Sequence, residues 1–144
     1  MARPIVEERL EYKGFPCVVL FQSMGFRTGY VGLPKGHKYY GKEYDSIPVD
    51  CHCGLTYGEH SLYGQEDKDT YWIGFDCGHC CDKNDYDKAI DYFSDNKSVL
   101  ESLLRCRELN RIYDTGGEIR TLEYVKENCK GIVDQLTQKE VQDE

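Results

Sequence analysis

Two stretches decide how this chain should fold: Asp50-Cys51-His52-Cys53-Gly54-Leu55-Thr56-Tyr57 and Tyr71-Trp72-Ile73-Gly74-Phe75-Asp76-Cys77-Gly78-His79-Cys80-Cys81. Each of them has the pattern of a β-strand that ends at a glycine. Backbone beside a glycine can approach a ligand closely, because no Cβ stands in the way. We therefore predict that the two strand ends meet and line a small-molecule site.

The N-terminal half around these stretches predicts an antiparallel sheet. Alternation over residues 5–12, the turn signal Lys13-Gly14 and an apolar run over 17–21 are typical of a hairpin whose second strand is buried on both faces. Further strands are predicted at 27–33, 48–57 and 70–77. The segments that join the strands are too short for helical crossovers, so the pairing should be antiparallel.

Strand alternation also predicts which side chains share a face. Ile73, Phe75 and Cys77 should lie on one face of the last strand, and Trp72, Gly74 and Asp76 on the other. One of the two faces must be core, so we do not expect Phe75 and Trp72 both to contact a ligand.

The pattern becomes helical after Cys81. We predict a short helix at 86–93 and a longer one that starts at the capping-box pattern Ser98-Val99-Leu100-Glu101 and continues to Ile112. The fold class is therefore predicted as α+β, with an N-terminal antiparallel sheet and C-terminal helices packed on it. One domain is expected over 1–144, with 1–81 mostly β-sheet, 82–138 helical and 139–144 a frayed tail.

The last helix carries the clearest periodic signal. Apolar residues recur at steps of three and four, and Val133 widens the stripe; the residues are Leu122, Val125, Cys129, Ile132 and Leu136. Such a stripe usually packs on the sheet of its own chain, and it could also form a dimer seam.

Charge and composition restrict the class of partner. The formal net charge of −8 argues against binding to DNA or RNA polymers, which requires a basic face, but it leaves room for one small anion. No apolar run reaches the ~20 residues of a membrane helix. The N-terminal residues do not have a signal-peptide pattern, so we expect a cytoplasmic protein. The 12 tyrosines suit ligand pockets and subunit interfaces.

The eight cysteines are predicted to be free thiols that act as small hydrophobic residues. A zinc-stabilised interaction protein is the alternative, with Cys51, Cys53, Cys77 and Cys80 as ligands. The Cys-x-x-Cys pair is a good half-site, whereas Cys-x-Cys on an extended strand separates the side chains by about 6.6 Å. Our prediction is no metal and no cofactor.

Cationic side chains offer two places for an anion. Residues 29–37 form a glycine-punctuated strand end with Lys35 and His37; this signal is weak alone, because glycine and proline there are more typical of a simple turn. Arginines occur on the predicted helices, where they could bind phosphate or pair with surface carboxylates; they are Arg105, Arg107, Arg111 and Arg120.

A cyclic-nucleotide hydrolase is a further alternative. Asp76 and His79 could act as a base and its partner, or Cys77 as a nucleophile beside His79. The signature motifs of the common hydrolases and nucleotide-binding loops are missing from the sequence, so we predict no catalytic residues and a protein that is not an enzyme.

Five segments taken together resemble the first family of phage anti-Thoeris proteins. The segments are 12–19, 29–37, 54–57, 72–79 and 120–125, and the resemblance spans most of the chain except about 82–117. It implies a phage or prophage protein that binds and sequesters cyclic ADP-ribose-type immune signals, such as glycocyclic ADP-ribose, without cleaving them. Thoeris signalling by TIR enzymes would thereby be blocked in the host bacterial cytoplasm.

The same resemblance implies an assembly and a ligand set. The family forms homodimers and higher homo-oligomers with pockets near the subunit interface, and some members also bind cyclic oligonucleotides. The implied ligand-binding residues are Lys35, His37, Asp50, His52, Thr56, Phe75, Asp76, His79, Arg120 and Tyr124.

Within that implied set, different residues would bind different groups of the nucleotide. Phe75 would stack on adenine, Lys35 and Arg120 would meet the pyrophosphate, and Asp50, Thr56 and Asp76 would bond to ribose hydroxyls. The family pattern has other residue types where this chain has Cys51, Cys53, Cys80 and Cys81, which weakens the zinc alternative.

Overall fold

The computed structural model describes residues 2–63, 65–66, 68–114 and 116–142. An N-terminal antiparallel sheet is followed by three helices, so the predicted α+β fold class is confirmed. Within the described residues, no helix combines the length and the apolar character needed to cross a membrane.

Five strands form the main sheet, in the spatial order β1-β2-β3-β7-β4; they are β1 (Ile5–Tyr12), β2 (Phe15–Phe21), β3 (Arg27–Pro34), β4 (Tyr57–Glu59) and β7 (Thr70–Asp76). All neighbouring pairs are antiparallel. A separate two-stranded ribbon, β5 (Ser61–Leu62) and β6 (Gln65–Glu66), lies between β4 and β7 in sequence. A 3₁₀ turn at Tyr44–Ser46 precedes the loop that leads to β4.

The hairpin of β1 and β2 closes at Lys13 and Gly14, as predicted. Both residues have positive φ, +50° and +84°, which is the backbone of a type I′ turn. The twist of this turn matches that of the two strands. β2 is buried on both faces, apart from the exposed Pro16.

The strand predicted at 48–57 is wrong for most of its length, because only Tyr57–Glu59 pairs with β7. Extended structure is interrupted where Cys53 and Gly54 take left-handed conformations, with φ of +55° and +83°. The N–H of Gly54 turns back to donate to the carbonyl of Cys51 at 2.9 Å. Residues 47–56 therefore form a loop instead of a strand within the sheet.

Helix α3 (Leu122–Gln142) packs across β3, β2 and β1 of the same chain. Five residues of its predicted stripe are buried against the sheet, namely Val125, Cys129, Ile132, Val133 and Leu136, and Leu122 is partly buried there. The predicted strand faces are also confirmed. Ile73, Phe75 and Cys77 face this core, while Trp72 joins a cluster on the opposite face with Val18, Leu20 and Tyr30.

Two further helices, α1 (Tyr86–Tyr92) and α2 (Lys97–Ile112), enclose Phe21 through Ala89, Phe93 and Leu103. The capping box predicted at Ser98 is wrong. Asn96 is the N-cap and accepts from the N–H of Val99 at 3.2 Å, because the helix begins at Lys97 and Ser98 is already inside its first turn. The helical backbone of α3 includes part of the predicted tail, 139–142, and residues 143–144 lie outside the described residues.

Gly29 sets how closely α3 approaches the sheet. A Cβ at this position would lie 2.6 Å from Cζ of Phe75 and 2.8 Å from Cγ1 of Val125. We predict that Gly29→Ala lowers the free energy of unfolding by ~1–3 kcal/mol through overpacking, measured by urea denaturation.

The matched control is Gly131→Ala on α3, where a Cβ would meet nothing within 4 Å. This helical substitution should stabilise the protein by roughly 0.5–1 kcal/mol. Equal effects of the two substitutions would contradict the close approach at Gly29.

Candidate functional site

One buried carboxylate, that of Asp82, organises the end of the sheet where β7 finishes. Its side chain is 0% exposed. Oδ2 accepts from Nε2 of His52 at 2.9 Å and from the N–H of His79 at 3.1 Å, and Oδ1 accepts from Nε of Arg120 at 2.8 Å. Asp82 therefore joins the loop before β4, the turn after β7 and the start of α3.

His52 is held on both sides of its ring. Nδ1 lies 2.7 Å from the hydroxyl of Tyr124, and Nε2 lies against Asp82. The backbone N–H of His52 donates to Oδ1 of Asn128 at 2.9 Å, so α3 also fixes the main chain of the loop. The imidazole is 5% exposed and acts as a structural link between Asp82 and Tyr124.

Arg120 lies at the surface of this cluster with its side chain 19% exposed. Its guanidinium pairs with Asp82 and with Oε2 of Glu118 at 3.0 Å, and stacks 5.0 Å from the ring centre of Tyr124. The carbonyl of Arg120 accepts from Nη1 of the buried Arg27 at 3.0 Å. Arg27 is itself neutralised by Glu7 at 2.6 Å.

The cluster determines the charge state of Asp82. Burial alone would raise the pKa of this carboxyl, but the hydrogen bonds from Arg120 and His52 outweigh burial and lower the pKa. Asp82 therefore remains ionised in the folded protein at neutral pH, and the pair with Arg120 persists.

An open groove of about 390 Å³ lies next to this cluster, on the face of the sheet opposite α3. Its walls carry hydroxyl, amide, carboxylate and aromatic groups; they come from Gln22, Phe26, Thr28, Tyr30, Thr56, Tyr57, Phe75, Asp76 and Gly78. Oδ2 of Asp76 accepts from the hydroxyl of Thr56 at 3.1 Å, and Oδ1 accepts from the N–H of Gly78 at 3.0 Å.

His79 stands between the groove and the Asp82 cluster. Its Nε2 is 3.3 Å from Oδ1 of Asp76, at an angle that does not make a hydrogen bond. Its ring centre is 6.1 Å from that of His52. Nε2 of His79 is therefore close to Asp76 without a hydrogen bond to it, and the nitrogen can turn toward another acceptor.

The structure brings together six of the ten residues predicted for the ligand site: His52, Thr56, Asp76, His79, Arg120 and Tyr124. Lys35 and His37 lie at the opposite end of the sheet, because β3 runs from Thr28, opposite Asp76, to Pro34, opposite Thr70. At about 3.3 Å per residue the two ends are roughly 20 Å apart. One protomer therefore does not place Lys35 and Arg120 on the same pyrophosphate.

Two other predicted residues occupy different surroundings. Asp50 has an exposed side chain, and its backbone exchanges hydrogen bonds of 2.7 Å with the side-chain amide of Gln135 on α3. Phe75 is 1% exposed and packs between the sheet and Val125. Phe75 thus borders the groove from within the core under α3, and its ring has no exposed face on which adenine could stack in this structure.

The helix arginines follow the pattern of surface ion pairs. Arg107 pairs with Asp87 at 2.9 Å, and Arg111 approaches Glu108 at 3.5 Å. Both line a second groove of about 360 Å³ between α2 and residues 83–87, which also contains Asp85 and Asp114. The carboxylates there offset the arginine charges.

Three cysteines behave as core residues. Cys17, Cys77 and Cys129 are buried, and burial raises the pKa of all three thiols, to about 11 for Cys17 and about 12 for Cys77. A thiol with a raised pKa supplies little thiolate at neutral pH. Cys77 is therefore unsuited to the nucleophile role considered in the hydrolase alternative.

The four-cysteine zinc set is not brought together in the described part of the chain. Cys77 faces the core, whereas Cys80 is exposed. The metal-type donors that do converge are His52, Cys53 and Cys81.

Four residues of the site were not predicted from the sequence: Asp82, Arg27, Phe26 and Tyr57. Asp82 begins the polar, charged stretch Asp82-Lys83-Asn84-Asp85, and nothing in its spacing marks it as enclosed. Arg27 opens an apolar strand, which is an unusual place for a cation, and this was the available signal for a buried ion pair.

Comparisons of the chain with protein-family models, with curated proteins and with solved structures found no match.

We predict that Asp82→Asn destabilises the protein by on the order of 3 kcal/mol at neutral pH, because Arg120 loses its buried anionic partner. The folded-state pKa of Asp82 is below its unfolded value of about 3.9, so its stabilising effect is present above that pH. This effect should fade as the pH falls through the folded-state pKa. Urea denaturation across pH 2–7 measures it.

Asp134→Asn is the control, because Asp134 pairs with Lys13 at an exposed site. It should change the free energy of unfolding little at neutral pH. A loss as small for Asp82→Asn as for this control would contradict the role of Asp82.

Proposed function

We propose that this protein binds a cyclic ADP-ribose-type nucleotide in the groove at Asp76 and retains it uncleaved. The observation that supports this best is the groove itself, which combines hydroxyl and carboxylate groups with aromatic walls in a volume of about 390 Å³. Pockets for small molecules have typical volumes of about 300–1,000 Å³.

Asp76 is suited to the ribose end of such a ligand. Both carboxylate oxygens are fixed by one hydrogen bond each, from Thr56 and Gly78, and each retains capacity to accept another. Two neighbouring ribose hydroxyls could donate to these oxygens. Thr28, whose hydroxyl accepts from Nε2 of Gln22 at 3.1 Å, lies opposite Asp76 on β3 and adds a further polar group.

Phe26 and Tyr57 are the aromatic groups suited to the base. Both are partly exposed, in contrast to Phe75. Tyr57 is braced edge-on by Tyr30, with ring centres 5.2 Å apart. Stacking of a base on an aromatic ring contributes about 1–3 kcal/mol, so we assign to these rings the role that the sequence suggested for Phe75.

The need for positive charge beside the pyrophosphate of the ligand supports a proposal of homo-oligomerisation. Arg120 already pairs with Asp82 and Glu118, so the described residues beside the groove offer little unpaired positive charge. A partner protomer could supply further positive charge. An exposed apolar surface at the C-terminal end of α2 is available for such contacts; it consists of Leu109, Ile112 and Tyr113.

The resemblance of five sequence segments to the anti-Thoeris family supports the biological setting that we propose. The protein would act as a phage-encoded sponge in the host bacterial cytoplasm, lowering the free concentration of a TIR-derived signal. Binding of a cyclic oligonucleotide at a second site belongs to the same proposal.

We predict that calorimetry with cyclic ADP-ribose isomers detects binding and that heat denaturation then releases the nucleotide intact. Asp76→Asn and Phe26→Leu should each weaken binding about tenfold or more, because they remove a hydroxyl acceptor and a stacking surface. Lys35→Ala, at the far end of the sheet, is the control and should bind as the unaltered protein does.

If Lys35→Ala weakened nucleotide binding equally, the proposal that the binding site lies at Asp76 would be contradicted. Recovery of a cleaved nucleotide would favour the hydrolase alternative, for which the 3.3 Å approach of His79 to Asp76 is the supporting observation. In that case His79→Ala should abolish turnover, with the fold checked by circular dichroism.

We also predict a particle mass above that of one chain in light scattering of the purified protein. Ile112→Glu should shift the mass toward the monomer, because it places a charge on the exposed apolar surface. Met24→Glu, at another exposed apolar position outside α2, should leave the mass unchanged. A monomeric unaltered protein would contradict the proposal.

A further inference from the structure

Three metal-type donors meet where the loop before β4 touches the turn after β7. One ring nitrogen of His52 and the sulfur atoms of Cys53 and Cys81 all lie within 4.8 Å of one another. In a tetrahedral zinc site, with Zn–S near 2.3 Å and Zn–N near 2.0 Å, neighbouring ligand atoms are separated by about 3.5–3.8 Å. Closing the present arrangement around an ion therefore requires ligand shifts of only about 1 Å.

The chemistry of these ligands suits zinc. Two thiolates and an imidazole are a soft to intermediate donor set, which selects zinc over magnesium or calcium. The two thiolates also cancel the charge of a divalent ion, so the filled site would be neutral. A neutral zinc site suits this position, because the carboxylate of Asp82 is already balanced by Arg120 and is not needed to balance the charge of the ion.

The surroundings of His52 resemble the outer shell of a metal site. A metal-bound histidine usually donates its other ring N–H to a carboxylate or another acceptor, which fixes the ring. In this protein one nitrogen of His52 contacts Asp82 and the other contacts Tyr124. A metal would displace one of these contacts, and the remaining contact would orient the ring.

Access and backbone shape are consistent with an ion site. Cys53 and Cys81 are both exposed, so an ion can enter from solvent and a water molecule can fill the fourth position. Cys53 has a left-handed backbone, φ +55°, which is uncommon for a residue other than glycine.

We propose that His52, Cys53 and Cys81 bind one zinc ion. The ion would tie residues 51–56 to the turn after β7, two segments that contribute Thr56 and Gly78 to the groove walls. The site goes beyond the proposed nucleotide binding, and it differs from the four-cysteine set suggested by the sequence because it uses Cys81 and His52 and leaves out Cys51, Cys77 and Cys80.

The test is zinc titration of the full chain, kept reduced with a phosphine and free of nucleotide. Elemental analysis after dialysis should find about one zinc per chain. Cobalt substitution should give the tetrahedral absorption bands and the thiolate charge-transfer band of a mixed sulfur and nitrogen site. Bound zinc should also raise the thermal midpoint.

Cys53→Ser and Cys81→Ser should each lower zinc affinity by at least about tenfold and remove the thiolate band, since each deletes a ligand. The matched control is Cys80→Ser, which alters an exposed thiol next in sequence to Cys81 and should keep full binding. Absence of near-stoichiometric zinc in the unaltered protein, or equal loss in Cys80→Ser, would overturn the proposal. Neither result depends on whether a nucleotide binds.

Discussion

The ion pair between Asp82 and Arg120 is the interaction on which the end of the sheet depends. A fully enclosed carboxylate would be unfavourable without a cation and several donors. Here the guanidinium of Arg120, the imidazole of His52 and the N–H of His79 all reach it. Three segments distant in sequence are thereby held in one arrangement, and that arrangement forms one side of the groove at Asp76.

The core beneath fixes where this arrangement can form. Helix α3 lies across β3, β2 and β1, and its first turn carries Tyr124, which contacts His52. The hydroxyl of Thr121 accepts from the N–H of Tyr124 at 3.2 Å and so caps the helix start. The apolar stripe therefore does more than stabilise the sheet, because it sets the position of a polar residue in the site.

Periodic features of the sequence were sufficient to predict the sheet, the α3 stripe and the two faces of β7. Strands repeat every two residues, and the helix repeats every three to four residues, so each element leaves a periodic pattern of apolar side chains. The loop 47–56 was misassigned because its residue types suit a strand, and only the positive φ of Cys53 and Gly54 breaks it. Asp82 was missed because its importance comes from contacts with residues 30 and 38 positions away. Lys35 and Arg120 were predicted on one pyrophosphate although they lie at opposite ends of one protomer's sheet, because sequence alone does not show which end of a strand a loop occupies.

The central claim is that the sheet end built around Asp82 holds the ligand. A crystal structure of the protein with a bound cyclic ADP-ribose isomer tests this most directly. Our account places the ribose hydroxyls on the carboxylate of Asp76 and the base against Phe26 or Tyr57, with both glycosidic bonds present. A nucleotide bound instead beside Lys35 and His37, with the groove at Asp76 empty, would contradict it.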